Sequence, residues 1–197
     1  YENSLIIVIS DHGEEFFEHG RFRHGQSLHA ELLNIPLIIK LPGSSPGGIV
    51  IDSVVRLLDV APTILDMAEI TYRGRMEGKS LIPYIYEGKS EDLVAFSERE
   101  PYIEPGDFSI RDRHLKYIYR PSQKNSPPRE WLYDIQMDPK ETINIISLEP
   151  ALVQSLRSEL NAFIEKVTKD KEKRERKKRV KDQEAIDRLR ALGYLGP

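Results

Sequence analysis

The sequence predicts an α/β fold in which part of a sheet with helices is followed by a small antiparallel-sheet subdomain with a C-terminal helix. Three observations predict it. Leu5-Ile6-Ile7-Val8-Ile9 and Pro36-Leu37-Ile38-Ile39-Lys40-Leu41 are nearly unbroken apolar runs rich in β-branched residues, as buried strands are. From about Leu93 onward, short strand-like runs alternate with Pro, Gly, Asp and Arg turns. Leu152, Leu156, Leu160 and Ile164 then recur at the spacing of one helix face, giving a stripe that can cover a sheet.

Taken in order, the first run lacks polar alternation and so fits a strand covered on both faces, as in a parallel sheet; it ends at Ser10-Asp11-His12-Gly13. The second stops at Pro42-Gly43, and the polar connection between the two is long enough to suggest function. Ser44 to Gly48 reads as a turn. Val55, Leu58, Ala61, Leu65 and Ala68 mark a helix within Asp52–Ile70, with Asp59 as its cap and Pro62 in its first turn. Residues 74–88 read as irregular, anchored by Leu81-Ile82-Pro83-Tyr84-Ile85. Strands are expected at Leu93–Phe96, Phe108–Ile110, Leu115–Tyr119 and Trp131–Asp134, with Arg111–His114 as a hairpin turn. The expected division is 1–90 for the C-terminal part of a catalytic α/β domain, 91–167 for the antiparallel subdomain with its helix, and 168–197 for a charged helical tail. Leu189, Leu192, Tyr194 and Leu195 should dock back. Because the chain enters a buried strand by Leu5 with neither an initiator Met nor a signal pattern, it reads as the C-terminal portion of a longer protein.

Composition narrows the function. Hydrophobic residues at 39% and charged ones at 31% exclude collagen-like and disordered chains. A net charge of −3 argues against a nucleic-acid binder. No apolar run approaches the roughly 20 residues of a membrane span. The absence of cysteine removes disulfides, thiolate metal sites and a thiol nucleophile, and suits a reducing compartment such as the cytoplasm. An incomplete sheet would expose apolar surface, so a homo-oligomer is expected. The mixed acids and bases of residues 166–184 read as a solvated helix with pairs such as Glu172 to Arg176; a nucleic-acid or lipid contact is the alternative, and no aromatics interleave to support it.

The chemistry concentrates in Ser10-Asp11-His12-Gly13-Glu14-Glu15-Phe16-Phe17-Glu18-His19-Gly20 and the residues after it, which hold His24 and His29. Asp11 and His12 stand at the carboxyl end of a strand, where open α/β sheets place ligands. A carboxylate beside an imidazole is a good half-site for zinc or manganese and a less usual one for calcium. The plainer alternative has Asp11 capping a turn and His12 packing beneath the loop; the strand context and the further histidines favour the metal. Glu14, Glu15 and Glu18 could be glycosidase acids but have no other support. Gly43–Gly48 lacks the Lys-Ser/Thr of a phosphate loop. His114 reads as a turn residue, Trp131 as a packed aromatic, and Arg111 as a salt-bridged structural residue that could instead face a cleft.

The block Ser10-Asp11-His12-Gly13-Glu14, then Glu18-His19-Gly20, His24-Gly25 and Asn34-Ile35-Pro36-Leu37-Ile38-Ile39, resembles the C-terminal part of a sulfatase of the alkaline phosphatase superfamily. Leu58-Asp59-Val60-Ala61-Pro62-Thr63, Gly78-Lys79-Ser80-Leu81, Lys116-Tyr117-Ile118, Leu132-Tyr133-Asp134 with Asp138-Pro139-Lys140-Glu141 and Asn144, and Arg190-Ala191-Leu192-Gly193-Tyr194 extend the resemblance in order along the chain. It implies an alkaline-phosphatase-like sheet and a sulfuric ester hydrolase acting on a sulfate ester. It matches Asp11 and His12 to the family's late pair of metal ligands, for one divalent ion (calcium, manganese or zinc). His24 falls where many sulfatases place a lysine that touches the sulfate, which makes it the catalytic candidate; His19 is assigned to the pocket rim. Phosphoethanolamine transferases carry a histidine at the His24 place, so sulfate-ester and phosphate-ester substrates both stay open, as do a phosphodiesterase or phosphonate hydrolase. A non-catalytic binding or assembly module is the alternative from another class. The family's nucleophile signature, Cys/Ser-x-Pro-x-Arg, is not among these residues, so the chain by itself is expected to be inactive.

Overall fold

A computed structural model describes residues 1–44, 47–89, 91–99, 106–122 and 126–191. Residues 1–156 form one unit and residues 157–197 a second. The expected docking of Leu192, Tyr194 and Leu195, and of the Leu189 side chain, lies outside the described residues.

The first unit opens with β1 (Ile6–Ile9), β2 (Glu15–Phe16), β3 (Phe22–Arg23), helix α1 (Ala30–Leu33) and β4 (Leu37–Lys40). β1 and β4 pair antiparallel, Ile6 opposite Lys40 and Ile9 opposite Leu37. This corrects the parallel, doubly covered strand expected from the apolar run. Ile6, Val8 and Ile38 are exposed while Ile7, Ile9, Leu37 and Ile39 are partly buried. A run of β-branched residues fits a strand of either direction, and only the return of the chain sets the pairing. The polar connection is not structureless: β2 and β3 form a small hairpin, and α1 follows it.

Helix α2 (Val60–Met67) is shorter than expected and follows a 3₁₀ turn at Leu57–Asp59. Asp59 does not cap α2 with its side chain: its backbone is already helical. Its fully buried carboxylate instead accepts from the Arg56 amide (2.9 Å), from Arg56 Nε and Nη2 (3.1 and 2.9 Å) and from the Lys79 amide (2.8 Å). Thr63 Oγ1 donates to the Asp59 carbonyl and accepts from the Leu81 amide. Glycine at 78 lets the second segment approach, since an added Cβ would lie 2.0 Å from the Leu58 carbonyl oxygen. Leu81 is thereby buried at the start of the short helix α3 (Ile82–Tyr86), the anchor that the sequence marked as irregular.

β5 (Ala95–Glu98), β6 (Phe108–Arg111), β7 (Leu115–Arg120) and β8 (Arg129–Asp134) form a four-stranded antiparallel meander in sequential order. The hairpin at Arg111–His114 is closed by Asp112, whose Oδ1 accepts from the amides of His114 and Leu115, both at 2.7 Å. Leu93, expected to begin β5, is buried just ahead of the strand. Leu28 packs with Ile118 and Tyr133 in one buried cluster, so the His-rich segment is seated on this sheet. The last element, helix α4, runs from Pro150 to Ala191 without a break at the start of the charged tail. Lys, Glu and Arg are good helix formers, and Lys169 pairs with Glu165 one turn back at 3.3 Å.

Replacing Asp59 by alanine removes four donors' acceptor and leaves the Arg56 guanidinium without its counter-charge. Urea unfolding should show a loss of about 2–4 kcal/mol; a change under about 1 kcal/mol would mean that the cluster is incidental.

Candidate active site

The chain leaves β1 at Ser10, whose hydroxyl donates to the His12 carbonyl at 2.6 Å, while Asp11 Oδ1 accepts from the His12 amide at 3.0 Å. Gly13 then presses on α1. Its amide donates to the Leu32 carbonyl at 3.0 Å, and a Cβ there would sit 1.9 Å from the Glu31 carbonyl oxygen. That contact sets where the residues on either side of Gly13 project.

His12, Glu14 and His24 converge, with one ligand atom of each within 4.8 Å of the others. The two imidazoles lie 4.3 Å apart, centroid to centroid. His12 Nδ1 is 2.9 Å from the Gly13 carbonyl oxygen, which can only accept, so Nδ1 carries the hydrogen and Nε2 keeps its lone pair. His24 Nδ1 is 2.5 Å from Glu14 Oε1, which leaves its Nε2 outward in the same sense. Asp11 is exposed beside them, its Oδ1 3.9 Å from His12 Nε2. The Asp11 carboxylate and the His12 imidazole, with its Nε2 lone pair outward, are a donor pair that fits zinc or manganese better than calcium.

Asp11 and His12 line a cleft of about 830 Å³, whose wall includes Arg56, Arg111 and Arg113. Arg111 lines this cleft, and its Nη1 donates to the neutral Asn34 Oδ1 at 2.6 Å, a hydrogen bond in place of the salt bridge that the sequence suggested. Burial draws its guanidinium below the ordinary value, against the charges of Glu141 and Asp112.

His19 stands elsewhere. Its ring stacks on His29 at 3.7 Å and 5°. Its Nε2 is 3.1 Å from the Glu141 carbonyl oxygen, and its Nδ1 is 3.4 Å from Glu31 Oε2. It borders a smaller pocket of about 250 Å³ with His29, Trp131 and Tyr133. Behind it lies an ion cluster that sequence reasoning missed. Lys116 Nζ, 0% exposed, donates to both oxygens of Glu141, 2% exposed, at 2.8 and 3.1 Å. Glu141 Oε2 also meets His29 Nδ1 at 3.0 Å and the Ala30 amide at 3.1 Å. Burial alone would raise the Glu141 carboxyl, but the His29 hydrogen bond and the Lys116 charge outweigh it and hold it below its ordinary value. Burial pushes the Lys116 ammonium down, and Glu141 opposes that. One signal was available: Lys116 shares a strand face with Ile118, so a lysine there needed a buried partner.

Residues 17–170 match the family N-sulphoglucosamine sulphohydrolase, C-terminal. The chain belongs to that family. Among relatives of this sulphohydrolase C-terminal chain, arylsulfatase K of Gallus gallus is 31% identical over 173 residues, covering 83% of this chain and 31% of that protein. Arylsulfatase K of Homo sapiens is 28% identical over 172 residues, with 83% and 31% covered. The chain therefore spans about a third of the length of the curated relatives it matches. Among solved structures, BT4656 in complex with its substrate D-glucosamine-2-N,6-O-disulfate aligns with TM-score 0.65 and 26% identity, over 82% of this chain and 34% of that one. BT1596, a 2-O GAG sulfatase, aligns with TM-score 0.69 and 25% identity, over 84% and 37%.

Glu141→Gln would leave Lys116 charged and buried beside a neutral amide, at an expected loss of about 3–5 kcal/mol in denaturant unfolding. Because the native carboxyl lies below its unfolded value, its contribution is complete above about pH 4.3 and is lost as pH falls through the lower native value. The acid limb of the stability curve should therefore be shallower in the variant than in the native chain; superimposable limbs would show that another carboxylate controls acid unfolding.

Proposed function

We propose that this chain is the C-terminal, cleft-lining part of a metal-dependent sulfuric ester hydrolase, with Asp11 and His12 holding the divalent ion and His24 serving the leaving group. The carrying observation is the convergence of His12, Glu14 and His24, with His12 and Asp11 also lining the cleft that Arg56, Arg111 and Arg113 wall, in a chain of the sulphohydrolase C-terminal family. The complex of BT4656 with D-glucosamine-2-N,6-O-disulfate and the likeness to BT1596, a 2-O GAG sulfatase, support a sulfated sugar as the substrate class.

When bound, a divalent ion would offset the charge that builds on the sulfuryl oxygens during transfer. The chain's own residues do the rest. The Gly13 carbonyl fixes the His12 tautomer, so that Nε2 faces outward with its lone pair. Glu14 holds the His24 ring through Nδ1, so that Nε2, once protonated, can give its proton or a charge-assisted hydrogen bond to the leaving oxygen. Arg111 and Arg113 add positive charge to the wall, which favours an anionic ester. The nucleophile belongs to residues outside these 197, so the chain by itself should turn over no ester.

Titration of the chain with zinc or manganese should give one site, and either Asp11→Ala or His12→Ala should weaken it at least about tenfold. In the longer enzyme both variants, and His24→Ala, should lower kcat by roughly 10²–10⁴-fold. Near-normal turnover in the His12 variant would refute the metal assignment. The exposed Ile6, Val8 and Ile38 also support self-association of this chain through the β1–β4 face; a concentration-independent monomer mass in sedimentation would exclude it.

A further inference from the structure

The hairpin β2–β3 carries an aromatic group that the metal and sulfuryl chemistry leave unused. Phe16, Phe17 and Phe22 are 66%, 68% and 46% exposed, far more than large apolar side chains in a packed core. They are nonetheless ordered against one another. Phe17 and Phe22 stack at 5.4 Å and 21°, and Phe16 meets Phe22 edge-on at 6.0 Å.

The hairpin is held from beneath. Glu15, fully buried on the inner face, accepts from Ser27 Oγ at 2.8 Å. Its turn is closed by the Phe17 amide donating to the Arg21 carbonyl (2.8 Å) and the Gly20 amide donating to the Phe17 carbonyl (3.1 Å). Phe17 at the tip and Arg23 at the open end both sit at positive φ, 76° and 75°, a conformation that bulky residues rarely adopt and that here shapes both ends of the hairpin.

The placement relative to the cluster matters most. Glu14 stands directly before β2, two residues from Phe16, and His24 directly after β3, two residues from Phe22. Across the hairpin, Phe16 pairs with Phe22, and Glu14 bonds His24. One residue pair, Glu15 with Arg23, therefore stands between the aromatic group and the Glu14–His24 contact.

We infer that Phe16, Phe17 and Phe22 form a stacking platform for the ring of the alcohol that leaves, an aryl ring or the C–H face of a pyranose. The exposed Arg23 at its edge suits a ring that bears further anionic groups. These phenylalanines are positioning and specificity residues, and the inference rests on the proposed function for the location of the ester.

The test separates the two. The 197-residue chain is titrated with benzenesulfonate and with ethanesulfonate, and the longer enzyme is assayed with 4-nitrophenyl sulfate, glucosamine 6-sulfate and ethyl sulfate. Phe17→Ala/Phe22→Ala should lower the preference for benzenesulfonate over ethanesulfonate about threefold to tenfold. The same variant should raise KM for the ring-bearing sulfates by a similar factor and leave ethyl sulfate and the melting temperature unchanged. Which of the two cyclic esters loses more tells whether the ring is aryl or sugar. Ring preference that depends on the phenylalanines in an enzyme that hydrolyses no sulfate would uphold the platform and remove the sulfatase assignment. Equal losses for cyclic and acyclic ligands, or no binding of either sulfonate, would overturn the platform even where sulfatase turnover is intact.

Discussion

The Glu141 carboxylate is the junction on which the arrangement of the first unit depends. It receives Lys116 from the antiparallel sheet and His29 with the Ala30 amide from the start of α1. Through α1 the same junction reaches the functional loop, because Gly13 is hydrogen-bonded to Leu32 and pressed against the Glu31 carbonyl. Burying a lysine and a glutamate is costly unless the geometry satisfies both, so few arrangements of these segments are tolerated. Glu141 itself adopts φ 54°, and its side-chain contacts offset that backbone strain.

Environment divides four histidines of one short segment into two roles. His19 and His29 are stacked and mostly enclosed, with ring nitrogens directed at Glu31 and Glu141. His12 and His24 are exposed, His12 at the cleft, each oriented through Nδ1 and open at Nε2. The first pair joins the segment to the sheet, and the second pair faces outward beside Glu14. A hydrogen bond to one ring nitrogen decides the chemistry left to the other.

Much of the antiparallel sheet was legible because strand, turn and strand follow one another locally. Leu115–Tyr119 differs from β7 by a single terminal residue, and Asp112 closes the turn that its residue type suggested. The β1–β4 pairing was not legible, since an apolar run with no alternation says nothing about direction. The β2–β3 hairpin escaped because strands of two residues carry no period, and its tip relies on positive φ at Phe17 as well as at Gly20. Asp59 looked like a helix cap because its residue type suits one, whereas its actual partners, Arg56 and Lys79, include a segment twenty residues away.

From the sequence alone came the kinds of chemistry available: a carboxylate and an imidazole at a strand end, further histidines close behind, no thiol, and the motif order of a sulfatase C-terminal portion. Which of those groups meet was decided by the tertiary structure. Glu14 joins His12 and His24, His19 turns to His29, and Lys116 finds Glu141. The reason is physical: side-chain convergence depends on the dihedral angles of a few turn residues and on contacts between distant segments, and local periodicity encodes neither.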